Sequence, residues 1–232
     1  MTTPHAWKHG WADAYASRNG DIAEEFLDLV VKPSLSALGQ KQLELASSDD
    51  LVIAGFAASD HRDLINKTNM AFCLSIQSLW EQQLRRYLGN CVGCLGIEGV
   101  TAEELEHMTW GERANKLFQY IRGTDLTAFD SYATLSKLQL LGNACRHGDG
   151  KSSRKLFKLH PELCPDQYPS VQFVRWSVEL LASFVSAIVL FWMDMEILGL
   201  ESFANEDARV LARIAHLRNS RESRLAIVTR ST

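Results

Sequence analysis

Apolar residues recur along most of the chain at spacings of three, four and seven residues, which is the pattern of amphipathic α-helices. The longest stripe lies between about 59 and 91 and comprises Ile65, Phe72, Ile76, Leu79, Trp80, Leu84, Tyr87 and Leu88. A second stripe, between about 126 and 147, comprises Tyr132, Leu135, Leu138, Leu141 and Cys145. No alternation of period two persists long enough to indicate a strand. The pattern therefore predicts an all-α protein, a bundle of about five to seven helices.

Turn and capping residues set the predicted helix boundaries. Thr101 and Glu104 form a capping box, and Ser170 is placed to cap the most hydrophobic helix. Pro33 is expected to kink or split the first helix, whose apolar side carries Ile22, Phe26, Leu29 and Val30. The predicted helices span about 21–45, 59–91, 101–121, 126–147, 152–159, 171–198 and 205–217.

These boundaries predict a single helical domain over residues 21–217. An irregular lead-in, 1–20, precedes it, with Trp7, Trp11 and Tyr15 as aromatic anchors. A basic tail, 218–232, follows it.

Charge is unevenly distributed along the chain. The 232 residues carry a net charge of −4, yet residues 208–232 hold six arginines against one glutamate. A basic segment on an acidic body suits RNA or an acidic partner, although a solvated terminus has the same composition.

The cysteines and the apolar runs indicate a cytoplasmic protein. The cysteines number 5, an odd count, and no apolar segment typical of a secretory signal follows Met1. The charge-free run from Leu180 to Met193 is too short to span a bilayer comfortably, so no membrane association is expected. Cys91 and Cys94 form a lone CxxC without further ligands at zinc spacing, and no metal or other cofactor is predicted.

Three polar residues of differing chemistry converge near the end of the helix predicted over 126–147. Asn143, Arg146 and His147 occur at i, i+3 and i+4, so they project from one side of the helix. Lys151, Arg154, Lys155 and Lys158 follow, and the segment 142–158 has a net charge of +4. An arginine binds phosphate through two hydrogen bonds, and a histidine exchanges protons near neutral pH. The cluster therefore suits a phosphate-containing ligand.

The segment 141–150, LGNACRHGDG, resembles the HEPN superfamily of α-helical bundle proteins. Many members are metal-independent endoribonucleases of toxin–antitoxin and phage-defence systems. Their signature is an arginine, a polar residue, three further residues and a histidine near a helix end. Asn143 and His147 match the polar residue and the histidine, whereas Gly142 occupies the place of the arginine.

The resemblance implies a homodimer in which both motif helices face one cleft, with RNA or a nucleotide as ligand and a neutralising protein as partner. His147 would act as general base on a ribose 2′-OH or as acid on the leaving oxygen. Arg146 would stabilise charge on the phosphate, and Asn143 would orient the histidine or the phosphate. Glu81 is a candidate supporting residue for this cluster, or simply the partner of Arg85.

Two further functions remain open. A HEPN-like module without catalysis would bind a nucleotide, RNA or a partner protein, with Gly142 recording the lost activity. A helical scaffold would have no nucleic-acid role, and Arg146 and His147 would only interact with the last carbonyls of their helix.

Overall fold

The computed structural model describes residues 11–47, 51–164, 169–202 and 207–230, and helices account for most of them. The all-α prediction is confirmed: no strand occurs in these ranges. The α-helices are α1 (Trp11–Ala16), α2 (Asn19–Phe26), α3 (Lys32–Ala46), α4 (Leu51–Leu95), α5 (Ala102–Glu106), α6 (Glu112–Arg122), α7 (Tyr132–His147), α8 (Lys151–Leu159), α9 (Val178–Glu201) and α10 (Ala208–Arg230). Short 3₁₀ turns are formed by Leu126–Ala128, Pro161–Leu163 and Val171–Phe173.

The chain divides into two compact units, each assembled from separate stretches of sequence. The first unit comprises Met1–Ala23, Ser78–Ser136 and Ser183–Thr232. Its core is aromatic: the Trp80 ring lies 4.8 Å from Phe191, 5.7 Å from Trp110 and 5.9 Å from Trp192, centroid to centroid. Edge-to-face rings at these separations add packing energy to their large buried area.

The second unit comprises Glu24–Gln77 and Lys137–Ala182. Its apolar core includes Ile76 of α4, Leu138 and Leu141 of α7, and Leu156 of α8, none of which is measurably exposed. The candidate site belongs to this unit. The stripes predicted on α4 and α7 therefore supply core residues as expected.

The chain between α2 and α3 is a continuous helix interrupted by a π-helical turn, Leu27–Val31. The extra residue in this turn precedes Pro33 and shifts the helix faces. The predicted apolar side was wrong: Ile22, Leu29 and Val30 are exposed, whereas the buried residues are Ala23, Leu27 and Val31. A straight helical repeat could not reveal a π-turn.

The described part of the predicted lead-in, residues 11–20, is helical rather than irregular. Trp11 and Tyr15 do not anchor it, because their residues are 74% and 72% exposed. The anchor of α1 is polar: the buried Asp13 carboxylate accepts hydrogen bonds from Tyr87 Oη at 2.9 Å and from Arg122 at 3.4 Å. Trp7 lies outside the described residues.

The most hydrophobic helix begins later than the sequence predicted. Ser170 Oγ accepts from the Gln172 N–H, but it caps only the 3₁₀ turn Val171–Phe173. Helix α9 starts at Val178, where Ser177 Oγ accepts from the Leu180 N–H at 3.1 Å. Ser170 and Ser177 thus each cap the element that follows them. Val178–Glu201 is long and apolar enough to cross a membrane, and 78% of its most apolar window is buried inside the protein, as in a core helix.

The predicted basic tail is part of a helix, since α10 continues to Arg230. Several arginines of α10 form ion pairs with acidic side chains. Arg213 pairs with Glu196 at 2.8 Å, Arg218 with Glu201 at 2.6 Å, and Arg221 with Asp130 at 2.7 Å. Val228 is buried, so this end of the chain packs onto the first unit. Sequence alone does not reveal which acids face these arginines.

Candidate functional site

The candidate motif occupies the last turns of α7. Gly148 ends the helix with a positive φ of 70°, which L-residues with a side chain rarely adopt, and its N–H donates to Ala144 O at 2.8 Å. Arg146 and His147 are exposed, and neither side chain hydrogen-bonds or ion-pairs with another residue that the structure describes. Both groups are therefore exposed at the end of α7, and neither side chain binds a helix carbonyl among the described residues.

Gly142 marks the closest approach of α7 to α4. A Cβ added to Gly142 would come within 2.7 Å of the amide carbon of Gln77, and closer still to its oxygen. The Gln77 side chain is completely buried and cannot swing into solvent. This close approach explains the glycine physically, because Gln77 occupies the space where a side chain of residue 142 would begin.

Asn143 is partly buried and faces α4. Its Oδ1 accepts a hydrogen bond from Gln77 Nε2 at 3.5 Å. The bond orients Asn143 from the side opposite solvent, so Gln77 is a positioning residue for the motif. Sequence analysis missed Gln77, although a glutamine inside the buried stripe of α4 was a signal that could have identified it.

The four basic residues that follow the motif lie on one exposed face of α8. They occupy positions i, i+3, i+4 and i+7, whereas Ser153, Leu156 and Phe157 form the buried face. No described acidic side chain forms an ion pair with any of the four. We call this set the cationic face; its members are Lys151, Arg154, Lys155 and Lys158.

A groove of about 330 Å³ runs beside the cationic face. It is lined by Asp149, Ser153, Arg154, Phe157, Lys158 and Pro169. The one acid in this lining is already engaged: Asp149 accepts from Ser170 Oγ at 2.7 Å and from the Val171 N–H at 3.0 Å. These bonds fasten the turn between α7 and α8 to the segment after Pro169. The groove thus combines two cations with apolar surface.

Glu81 is not shown to support the motif. Its Oε2 accepts from Arg85 at 2.8 Å within α4, which is the simple intrahelical pair that the sequence also allowed. Arg85 donates further to Met108 O at 3.3 Å. These contacts lie in the first unit, whereas the motif belongs to the second.

The sequence analysis also missed a buried lysine of α7, Lys137. Lys137 is 2% exposed and its ammonium lies 3.0 Å from Glu162, which His160 approaches at 3.3 Å. Burial lowers the pKa of His160, and the charge of Lys137 lowers it further against the opposing effect of Glu162. Partial burial acts to raise the Glu162 pKa, but its hydrogen bonds and the charge of Lys137 outweigh this and lower it.

In the described part of the chain, the CxxC pair lies in no cluster of metal-ligating side chains. Cys91 is buried and Cys94 is exposed, and no group of three metal-ligating side chains occurs among the residues that the structure describes. Burial raises the pKa of the Cys91 thiol to about 11, so it is protonated at neutral pH. A protonated thiol is a poor metal ligand.

Comparison of the chain with protein-family models, with curated proteins and with solved structures yields no match. The resemblance to HEPN proteins therefore rests on the motif residues alone, and the function is inferred from the chemistry of the α7 end and the cationic face.

Proposed function

We propose that the protein binds RNA through the cationic face of α8. The observation that carries this proposal is the alignment of four basic side chains on one exposed helical face without described acidic partners. Other cations of the chain, such as Lys32, Lys41 and Lys116, pair with acids one helical turn away. An unpaired row of cations gains most from a polyanion, because each phosphate contact releases bound counterions.

The dimensions favour a chain of phosphates over a small anion. Lys151 and Lys158 are seven residues apart, which is about 10 Å along a helix axis. One phosphate can contact only part of this face, whereas successive phosphates can contact all of it. The groove beside Arg154 and Lys158 adds apolar surface from Phe157 and Pro169, against which an unpaired base can pack. Single-stranded RNA supplies both features.

Binding should be measured by fluorescence anisotropy with a labelled single-stranded RNA across a series of salt concentrations. The test variant replaces Lys151, Arg154, Lys155 and Lys158 by glutamine. We expect a loss of affinity of at least about tenfold and a shallower salt dependence, by about 0.7 in logarithmic slope per lost phosphate contact.

The matched control replaces Lys32, Lys41, Lys116 and Arg209 by glutamine. It removes the same number of positive charges from exposed side chains that have acidic partners. The proposal requires the control to retain most of its affinity. Equal losses in both variants would indicate an unspecific effect of net charge, and no binding by the wild type would end the proposal.

RNA cleavage is a second candidate function, favoured by the exposure of Arg146 and His147 beside the cationic face. Bound RNA would place a 2′-OH within reach of His147 as general base, and Arg146 would stabilise charge on the phosphate. One residue argues against RNA cleavage: Gly142 stands where the HEPN signature has an arginine, so the guanidinium of that signature is missing. Three further proposals depend on RNA cleavage: a homodimer, a neutralising partner protein, and a role in toxin or phage-defence systems. If the protein does not cleave RNA, these proposals lose their support.

A further inference from the structure

An exposed phenylalanine lies four residues after Pro169, which lines the groove beside the cationic face. Phe173 is 54% exposed. Of the large apolar side chains that the structure describes between residues 137 and 182, only Phe173 and Leu159 are exposed, and Phe173 alone is aromatic. A single exposed apolar residue is common on protein surfaces, so the surroundings of Phe173 decide whether it has a role.

Hydrogen bonds hold the 3₁₀ turn that carries Phe173 to the chain between the motif and the cationic face. Asp149, in the turn between α7 and α8, accepts from Ser170 Oγ at 2.7 Å and from the Val171 N–H at 3.0 Å. The Phe173 N–H donates to Ser170 O at 3.0 Å. Because three residues of a 3₁₀ turn span about 6 Å, the backbone of Phe173 lies near the junction of the motif and the cationic face.

A cation accompanies the exposed ring. Arg175 is exposed two residues after Phe173, and its side chain forms no ion pair with an acid that the structure describes. Its N–H donates to Leu163 O at 2.9 Å, so the backbone is also fixed on this side of the ring. An aromatic face near a guanidinium suits a nucleotide, because a base stacks on the ring and the guanidinium binds a phosphate.

We propose that Phe173 stacks on an unpaired base of RNA bound at the cationic face, and so favours single-stranded over duplex RNA. The inference rests on the proposed function, because phosphates at the cationic face bring the strand to Phe173. An unpaired base offers its flat face to an aromatic side chain, whereas the bases of a duplex are already stacked on one another. The cationic face thus supplies affinity for phosphates of either form, and Phe173 supplies the choice between the forms.

Binding should be measured by fluorescence anisotropy with one labelled RNA strand of mixed sequence, alone and annealed to its complement. Phe173→Ala should weaken binding of the single strand by at least about fivefold and change duplex binding by less than about twofold. Phe173→Trp keeps a flat aromatic ring and should bind as the wild type does, whereas Phe173→Leu should resemble the alanine variant. Phe56→Ala is the matched control: Phe56 is 73% exposed on α4 in the same unit, and its loss should change neither affinity.

The glutamine variant of the cationic face, measured beside these, separates this inference from the proposed function. That variant should lose affinity for both forms of RNA. If it does so while Phe173→Ala binds the single strand as tightly as the wild type, or weakens both forms equally, the stacking role is overturned and binding by the cationic face stands. A wild type that binds neither form overturns both proposals.

Discussion

Gly142 and Gln77 fill a single space between α7 and α4, because the glutamine amide occupies the volume where a side chain of residue 142 would begin. The contact leaves no room for a side chain at position 142. It also positions Asn143, whose Oδ1 accepts from the same glutamine. The packing and the chemistry of the motif are therefore linked through one buried residue.

Gly142→Ala should destabilise the protein even though alanine favours a helix by about 1 kcal/mol over glycine. The added methyl displaces the buried Gln77, and overpacking of this kind costs about 1–3 kcal/mol. We expect a net loss of about 1 kcal/mol in the free energy of unfolding, measured by urea denaturation. In a Gln77→Ala background the same change should become neutral or stabilising, which a double-mutant cycle would show as coupling. Purely additive effects would contradict the contact.

His147→Ala should separate RNA cleavage from RNA binding. Because His147 is exposed and forms no hydrogen bond or ion pair with a described residue, its loss should change the free energy of unfolding by no more than about 0.5 kcal/mol. If the wild type cleaves RNA in the presence of EDTA, the variant should lose at least about a hundredfold in rate and retain RNA affinity. Gel analysis of labelled RNA is the measurement. The absence of products from the wild type would leave binding as the function.

Truncation after Leu217 should destabilise the protein rather than remove a dispensable tail. The deletion exposes surface that Val228 covers and leaves Asp130 and Asp194 without Arg221. Buried valine alone contributes about 1.5–3 kcal/mol, so we expect a loss of at least about 2 kcal/mol in denaturant unfolding. The full-length double variant Arg221→Gln/Val228→Ala should reproduce a large share of that loss. An unchanged stability of the truncated chain would show that α10 does not pack beyond Leu217.

The Lys137–Glu162–His160 cluster predicts a dependence of stability on pH. The pKa of His160 is lowered on folding, so the unfolded chain binds more protons as the pH falls below 6.5. Stability should therefore decrease from neutral pH through the unfolded pKa and level off below the folded pKa. His160→Gln should flatten this decrease in thermal unfolding, whereas the control His107→Gln, at an exposed residue, should not. Identical pH profiles for the wild type and His160→Gln would contradict the pKa shift.

Glu162→Gln should weaken the ion pair with the buried Lys137. Because Glu162 is half exposed, we expect a modest loss of about 1 kcal/mol in the free energy of unfolding at neutral pH. The Glu162 pKa is lowered on folding, so its contribution exists above the unfolded pKa and disappears as the pH falls through the folded value. The wild type and the variant should then converge in acid, which denaturant titrations at several pH values would test.

Local sequence determined the helical class, the stripes of α4 and α7, the capping box at Thr101 and the cationic face of α8. Each follows from helical periodicity or from hydrogen bonds between residues a few positions apart, which the order of residues alone specifies. The exposure of the cationic face also follows, since Leu156 and Phe157 mark the opposite side as buried.

Only the tertiary structure decided which residues meet across long stretches of sequence. The contact of Gln77 with Gly142 and the ion pair of Arg221 with Asp130 each join residues that are dozens of positions apart in the sequence. A polar or small residue has the same local preferences whatever it faces, so its partner depends on how whole helices pack. For that reason the sequence located the candidate motif, whereas the packing of α4 and α7 explains its glycine, and the exposure of its arginine and histidine emerged only in three dimensions.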